Sequence, residues 1–449
     1  MALTITAALA RIKSDVARWL TPDAIRSVCR DVGHSWRERI LDPVTTVHLF
    51  LLQVLHGNTA CAHVPRLGGV DCTGEAYNQA RSRLPLAVLR GVLARLGKRW
   101  PIKEEGRWRG HRTFLVDGSS LSMPDTPALQ KEFGQPGAQA PGCGFPVMHV
   151  LALFHAATGF LISVATAPLR THDLSQIGRV HPELHKGDLL VGDRAFCSFT
   201  HFVLLHARKA FGLFRAHQKQ IVNFRAHRRT ASKRSRQQGR KGLPTSRWLK
   251  RLGRHDQLVE YAKPKQRPSW LSASAYADLP PTLVVRELRY TIANRGCRTR
   301  VVTRATTLLD PVAYPASALA ELYGQRWQIE LNFRHLKQTM GMDVLHCQTV
   351  EGVQKEVAMY LLVYNLIRLV MLEAAKRQDV PVERISFVDA ARWLAEAVHG
   401  DAPLRLRVNP HRPGRVEPRA VKRRPKNYPL LNRPRAELQK RLKNMGKVA

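Results

Sequence analysis

Two short stretches of this chain, TFLVDG at 113–118 and DLLVGD at 188–193, are apolar runs that each close on or beside an aspartate. Their length and their β-branched and aliphatic content read as strands. Two more lie between them, PVMHVLALFH and GFLISVATA, parted by the AATG turn, so four strands are expected over 113–193. Before residue 100 the apolar spacing is helical, in VTTVHLFLLQVLHG and in LAVLRGVLARLGKRW, where Pro85 reads as a helix start. Strand texture returns at TLVVRELRYTIA and TRVVTRATTLL. One strong helix is then predicted from near Ala316 through YGQRWQIELNFRHLKQTM, and a second apolar helix follows in VAMYLLVYNLIRLVMLEAAKR. Strands and helices mixed in this order predict an α/β protein, and 449 residues with 44% apolar content suffice for more than one domain.

The charge narrows the partner. Lys and Arg number 72 against 34 Asp and Glu, a net +38 that points to a polyanion. It is concentrated in two zones: residues 208–254 hold 16 Lys and Arg with no acid, and 404–449 hold 15 against Glu417 and Glu437. Such blocks look like binding equipment for DNA, RNA or an anionic membrane, the alternative being solvated charge that keeps the chain soluble. The first zone mixes Gly, Ser and Arg without a clean period and reads as a basic, partly irregular insertion; the proline-rich tail reads as extended until an anion orders it. Seven cysteines without a CxxC pair suggest neither a zinc ribbon nor a disulfide framework, and fit a reducing cytoplasm. Arg11, Lys13 and Asp15 come too early for a secretory segment and no run approaches 18 uncharged apolar residues, so no membrane partner is expected.

Asp117 and Asp193 each end a predicted strand, Asp117 before Gly118 and Ser119, Asp193 before Arg194 and Phe196. Carboxylates on rigid strand ends suit a hard divalent cation, although each aspartate read singly is equally a solvated turn residue. On the helix, Tyr323, Arg326, Glu330 and Lys337 fall within about a 60° arc, one ridge beside the apolar stripe of Leu322, Ile329, Phe333 and Leu336. A solvated face with an ordinary i, i+4 pair of Arg326 and Glu330 is the competing reading. His149 and His155 read as core or edge histidines rather than ligands. Asp188 reads as a turn residue about 16 Å from the site, and Asp125 as a loop residue that could support it.

YGQRWQIELNFRHLK carries Tyr, two residues, Arg, three residues, Glu, six residues, Lys, and in this it resembles the DDE transposases of the insertion-sequence-four family. Tyr323, Arg326, Glu330 and Lys337 fill that signature, the Arg326–Trp327 pair is typical, and YNQARSRLP at 77–85 is similar to the family's N-terminal motif. The resemblance spans roughly 15–375. It implies a ribonuclease-H-like catalytic domain, at 106–200 and 310–375, in which Asp117, Asp193 and Glu330 hold two magnesium or manganese ions. It implies further a β-containing basic insertion at 201–309, an N-terminal helical DNA-binding domain at 1–105, and a helical and basic tail at 376–449. Arg326, Lys337 and Tyr323 are then expected to position DNA phosphates. The implied reaction is cut-and-paste cleavage and strand transfer at the element's own terminal inverted repeats and a target, by a protein dimeric on DNA, in the bacterial cytoplasm on the nucleoid. A nuclease of the same fold and a non-catalytic DNA-binding descendant are the rival readings. The family's base-stacking tryptophan has no unambiguous counterpart, Trp248 and Trp270 both lying in the insertion.

Overall fold

The computed structural model describes residues 20–98, 106–231, 242–291, 301–396, 405–410 and 431–445. The first elements are helical: α1 (Pro22–Asp31), α2 (Pro43–Leu55), α3 (Val64–Gly68), α4 (Gly74–Arg83) and α5 (Leu86–Gly97). Side chains of Thr21, Asp42 and Thr73 accept backbone N–H groups at three of their N-termini, and Pro85 precedes α5 as the sequence predicts. A mixed α/β region follows, with β1 (Thr113–Ser122), α6 (Pro127–Phe133), β2 (Val147–His155), β3 (Leu161–Pro168), α7 (Asp173–Val180), β4 (Leu189–Gly192), α8 (Phe199–Ala207) and β5 (Phe211–Arg215). After it come β6 (Arg247–Gly253), β7 (Asp256–Ala262), α9 (Ala273–Ala277), β8 (Thr282–Thr291) and β9 (Val301–Thr306).

Among the described residues nine strands form one sheet in the order β3-β2-β1-β4-β5-β9-β8-β7-β6. β1, β4 and β5 run parallel, whereas β2 and β3 on one side and β9 to β6 on the other are joined by antiparallel pairings. β6 to β9 thus extend the sheet, β9 pairing directly with β5. Buried leucines and valines of β4 fill both faces, as a central strand requires.

Two expectations need correction here. Asp117 does not end β1: the strand runs on to Ser122, because β2 continues to pair with it through Gly118–Leu151 and Ser120–His149. What stops before Asp117 is the parallel ladder to β4, whose last pair is Val116–Gly192. The predicted single helix is also broken, into α10 (Ala316–Gly324) and α11 (Trp327–Arg334), followed by a π-helical turn at His335–Thr339. Gly324, a poor helix former, closes α10, and the junction tightens through Gln328 N–H to Gln325 O at 2.9 Å and Ile329 N–H to Arg326 O at 3.0 Å.

The long helix α12 (Val350–Gln378) is apolar enough to cross a membrane by length and composition, but most of it is buried between the sheet and the first helices. The Asn365 amide is paired both ways with Leu161, donating to its carbonyl and accepting from its N–H at 2.8 Å each, so α12 satisfies the edge strand β3. Beyond it lie α13 (Phe387–Glu396) and α14 (Arg435–Met445). The start of the predicted extended tail is not free: Leu406 is buried and Val408 bridges Ile385. Residues 411–430 of that tail lie outside the described residues.

Candidate active site

Because Val116 pairs with Gly192, the next residues, Asp117 and Asp193, emerge side by side where the two parallel strands part. α11 packs against β1 and brings Glu330 to the same place. The Arg326 guanidinium lies between two of the acids, 3.6 Å from Asp117 Oδ2 and 3.5 Å from Glu330 Oε1. Lys337, in the π-helical turn, donates to the Ser120 carbonyl at 2.9 Å and reaches Ser119 Oγ at 3.4 Å, so it is anchored on β1 just past Asp117. Tyr323 is nearly buried, its hydroxyl without a hydrogen-bond partner, and its ring lies 5.8 Å from the Arg326 guanidinium carbon.

The carboxylates disturb one another. Burial raises the Asp117 pKa from 3.8 to about 6, the Gly118 N–H and Arg326 opposing the shift while Asp173 and Asp193 add to it. Burial is also the main cause that raises Glu330, with Asp193 pushing the same way against Arg326. Acids that resist ionisation beside one another are stabilised by a cation, and an all-oxygen donor set suits magnesium or manganese. Among the described residues no three His, Cys, Asp or Glu side chains close on a point as a finished metal site. Charge coupling and donor chemistry together make the three acids a fitting, open set for such ions.

Asp173, at the start of α7, was missed in the sequence. Its Oδ1 bonds His149 Nε2 at 2.7 Å and lies 2.1 Å from where a Cβ on residue 118 would stand, so only glycine at 118 admits it beside Asp117. His149 is thus the partner of an acid at the site, whereas His155 bonds Thr158 Oγ1 within the core. No periodicity marks Asp173; only the folding of β3 back along β2 brings it there. Asp188 follows the turn at 186–187, as read from the sequence, and is buried and paired with Arg112 through two bonds of 2.8 and 2.6 Å. Asp125 is held by Gln130 and by Arg435 of α14. In the insertion, the Trp248 ring lies 4.4 Å from that of His227.

A family model described as the transposase DDE domain matches residues 108–366, more than half of the chain and the whole span that carries these acids. The chain belongs to the DDE transposase family. The chain is 24% identical over 375 residues to the transposase InsG for insertion sequence element IS4 of Escherichia coli (strain K12), covering 79% of this chain and 77% of that one. It is 28% identical over 131 residues to a probable transposase for insertion sequence element IS5377 of Geobacillus stearothermophilus, 28% of this chain and 34% of that one. Among solved structures, a piggyBac transposase synaptic complex with hairpin DNA aligns with a TM-score of 0.44 at 9% identity, over 88% of this chain and 80% of that one. The protein is an insertion-sequence transposase of the IS4 type, a DNA-cleaving enzyme. DDE transposase domains use divalent metal ions.

Proposed function

We propose that Asp117, Asp193 and Glu330 are the transposase's catalytic carboxylates, and that Tyr323, Arg326 and Lys337 position the phosphates of the strand being cut. The observation that carries this reading is the convergence of Asp117 and Glu330 on Arg326, with Asp193 close enough to act on both acids and the pKa of Asp117 pushed up to about 6. The three acids would hold two magnesium or manganese ions, which would supply Lewis-acid chemistry for an in-line displacement at the phosphodiester. Asp117 and Asp193 fix the geometry from rigid strands, and Glu330 closes it from α11. Lys337, braced on Ser120, and Arg326 present cations to the DNA backbone. The sheet order β3-β2-β1-β4-β5, with β2 antiparallel to its neighbours, supports a ribonuclease-H-like catalytic domain over 106–200 and 310–375, to which β5, near the start of the 201–309 segment, adds the fifth strand. The rest of 201–309 is the insertion, 1–105 the N-terminal DNA-binding domain and 376–449 the helical and basic tail.

The filled Tyr-Arg-Glu-Lys signature supports a place in that subgroup of the family. The substrate is duplex DNA bearing the terminal inverted repeats of its own element, joined to a target by cut-and-paste chemistry in a DNA-bound dimer. The setting is the cytoplasm of a bacterium, on the nucleoid. A strand-transfer assay with the DNA that flanks the gene tests this reading: joined product is expected in magnesium, and cutting without joining would favour a nuclease instead.

A further inference from the structure

The row of residues that carries the two aspartates continues across the sheet. Val116 pairs with Gly192, Gly192 with Phe214, and Phe214 with Ala305. One step further along stand Asp117, Asp193, Arg215 and Arg304, the two arginines directly opposed across β5 and β9. Both ends of this row meet the same stretch of chain, since Asp117 faces Arg326 and the Arg304 guanidinium carbon lies 3.2 Å from the centre of the Tyr323 ring. Two acids and two cations therefore face one side.

Opposed like charges are unfavourable in a sheet, and a buried cation needs acceptors. The sheet meets that need elsewhere: Arg112 closes on Asp188 and Arg286 on Asp256, each through two bonds. Arg304 is only 2% exposed and donates to the Tyr290 hydroxyl, yet its Nε and Nη1 are buried with no hydrogen-bond partner, and burial lowers its pKa to about 10. Among the described residues no carboxylate lies within ion-pair distance of Arg304 or of the half-buried Arg215. The Tyr323 hydroxyl beside them is likewise buried and unpartnered. The buried donors of Arg304 and Tyr323 that lack partners lie beside Arg215, next to a phosphodiester-cleaving centre, and this unbalanced positive charge calls for an anion.

We propose that Arg215, Tyr323 and Arg304 form a phosphate subsite beside the three carboxylates, which takes a phosphodiester of the DNA strand engaged there. Arg215 and the Tyr323 hydroxyl touch the phosphate. Arg304 is a positioning residue: sandwiched against the rings of Tyr290 and Tyr323, it holds the latter over the subsite by a cation–π contact. The subsite rests on the assignment of Asp117, Asp193 and Glu330 as the cleavage centre.

The test is a methylphosphonate scan. A duplex ending in the element's own terminal sequence is prepared with one neutral methylphosphonate at each successive phosphate near the cut, and its binding is measured in calcium for wild type, Arg215→Gln, Arg304→Gln and Arg304→Lys. Wild type is expected to lose roughly ten- to hundredfold in affinity at one phosphate. Arg215→Gln is expected to lose as much on the unmodified duplex and nothing more when that phosphate is neutral. Arg304→Gln is expected to show the same coupling at reduced size, and Arg304→Lys to recover it in part. Thermal melting identifies any variant that does not fold, and Arg215→Gln, at a half-buried position, carries the test alone if the Arg304 variants unfold. Losses spread equally over all phosphates, or undiminished sensitivity in Arg215→Gln, would overturn the subsite. Magnesium cleavage of the same duplex by wild type but not by Asp117→Asn separates that failure from failure of the cleavage centre itself.

Discussion

At Arg112 and Asp188 the sheet buries an ion pair whose donors and acceptors are matched two to two, at 2.8 and 2.6 Å. At Arg326 one guanidinium is shared between two acids, 3.6 Å from Asp117 and 3.5 Å from Glu330, and saturates neither. The first arrangement is closed: its charges have no capacity left for a ligand, and its function is to hold β1 to the turn before β4. The second is open, with acids half-exposed, raised in pKa and close to a third, Asp193. Proximity of opposite charges is therefore a poor marker of a functional site in this molecule. Incomplete pairing is the better one, and it also picks out Arg304 and Tyr323.

Exchanging one acid from each set breaks the comparison most sharply. Asp117→Asn, Asp193→Asn and Glu330→Gln are each expected to abolish cleavage while the protein stays folded and still binds DNA. Asp188→Asn is expected to do the reverse, costing about 3–5 kcal/mol of stability by leaving Arg112 buried without its counter-charge, with cleavage retained below its melting point. Chemical denaturation and a plasmid-cutting assay on the four variants read both quantities, and an Asp188 variant that is stable but inactive would erase the distinction.

The sequence revealed one set better than the other. Asp117 and Asp193 are visible because apolar strand residues lead up to them, and Glu330 because a fixed spacing of Tyr, Arg, Glu and Lys surrounds it. The true end of β1 was hidden, since Gly118, Ser119 and Ser120 look like a turn and only pairing with β2 keeps them extended. The break at Gln325–Arg326 was hidden too, because most residues around it favour a helix and Gly324 alone hints at the junction. The buried pairing of Asp188 and the presence of Asp173 at the site were hidden for one reason: their partners Arg112 and His149 are 76 and 24 residues away, beyond any local pattern.

A third kind of charge, with scarcely any acid near it in sequence, extends the comparison to the tail. Residues 411–449 hold most of the second basic block, and removing them should flatten the slope of log affinity against log salt by roughly 3 to 4 units if four phosphate contacts are lost. The cut belongs after Pro410, because Leu406 is part of the core and Val408 pairs with Ile385. An unchanged slope on a non-specific duplex would mean that these cations do not touch DNA.

The smallest expected effect concerns pH. Asp117 in the metal-free fold has its pKa raised from 3.8 to about 6, so the protonated form is favoured by folding and the ionised form opposes it. Stability from this group is full below about pH 4 and is lost as pH rises through 6. Asp117→Asn in chelator should therefore be more stable than wild type at pH 7–8, by roughly 1–2 kcal/mol after allowance for its partial exposure, and equal to it below about pH 4. Melting curves across pH 4–8 check the sign; a gain that grows on acidification would contradict the raised pKa.

The most direct test of the open carboxylate set as a metal-dependent cleavage centre is metal rescue at Asp117. Asp117→Cys replaces a hard oxygen ligand by sulfur, which magnesium binds poorly and the softer manganese tolerates better. With DNA bearing the element's ends, the variant is expected to cut nothing in magnesium and to recover cleavage in manganese, while wild type works in both. Cleavage by the variant in magnesium at the wild-type rate would show that residue 117 does not hold the ion, and would remove the centre on which the assignment stands.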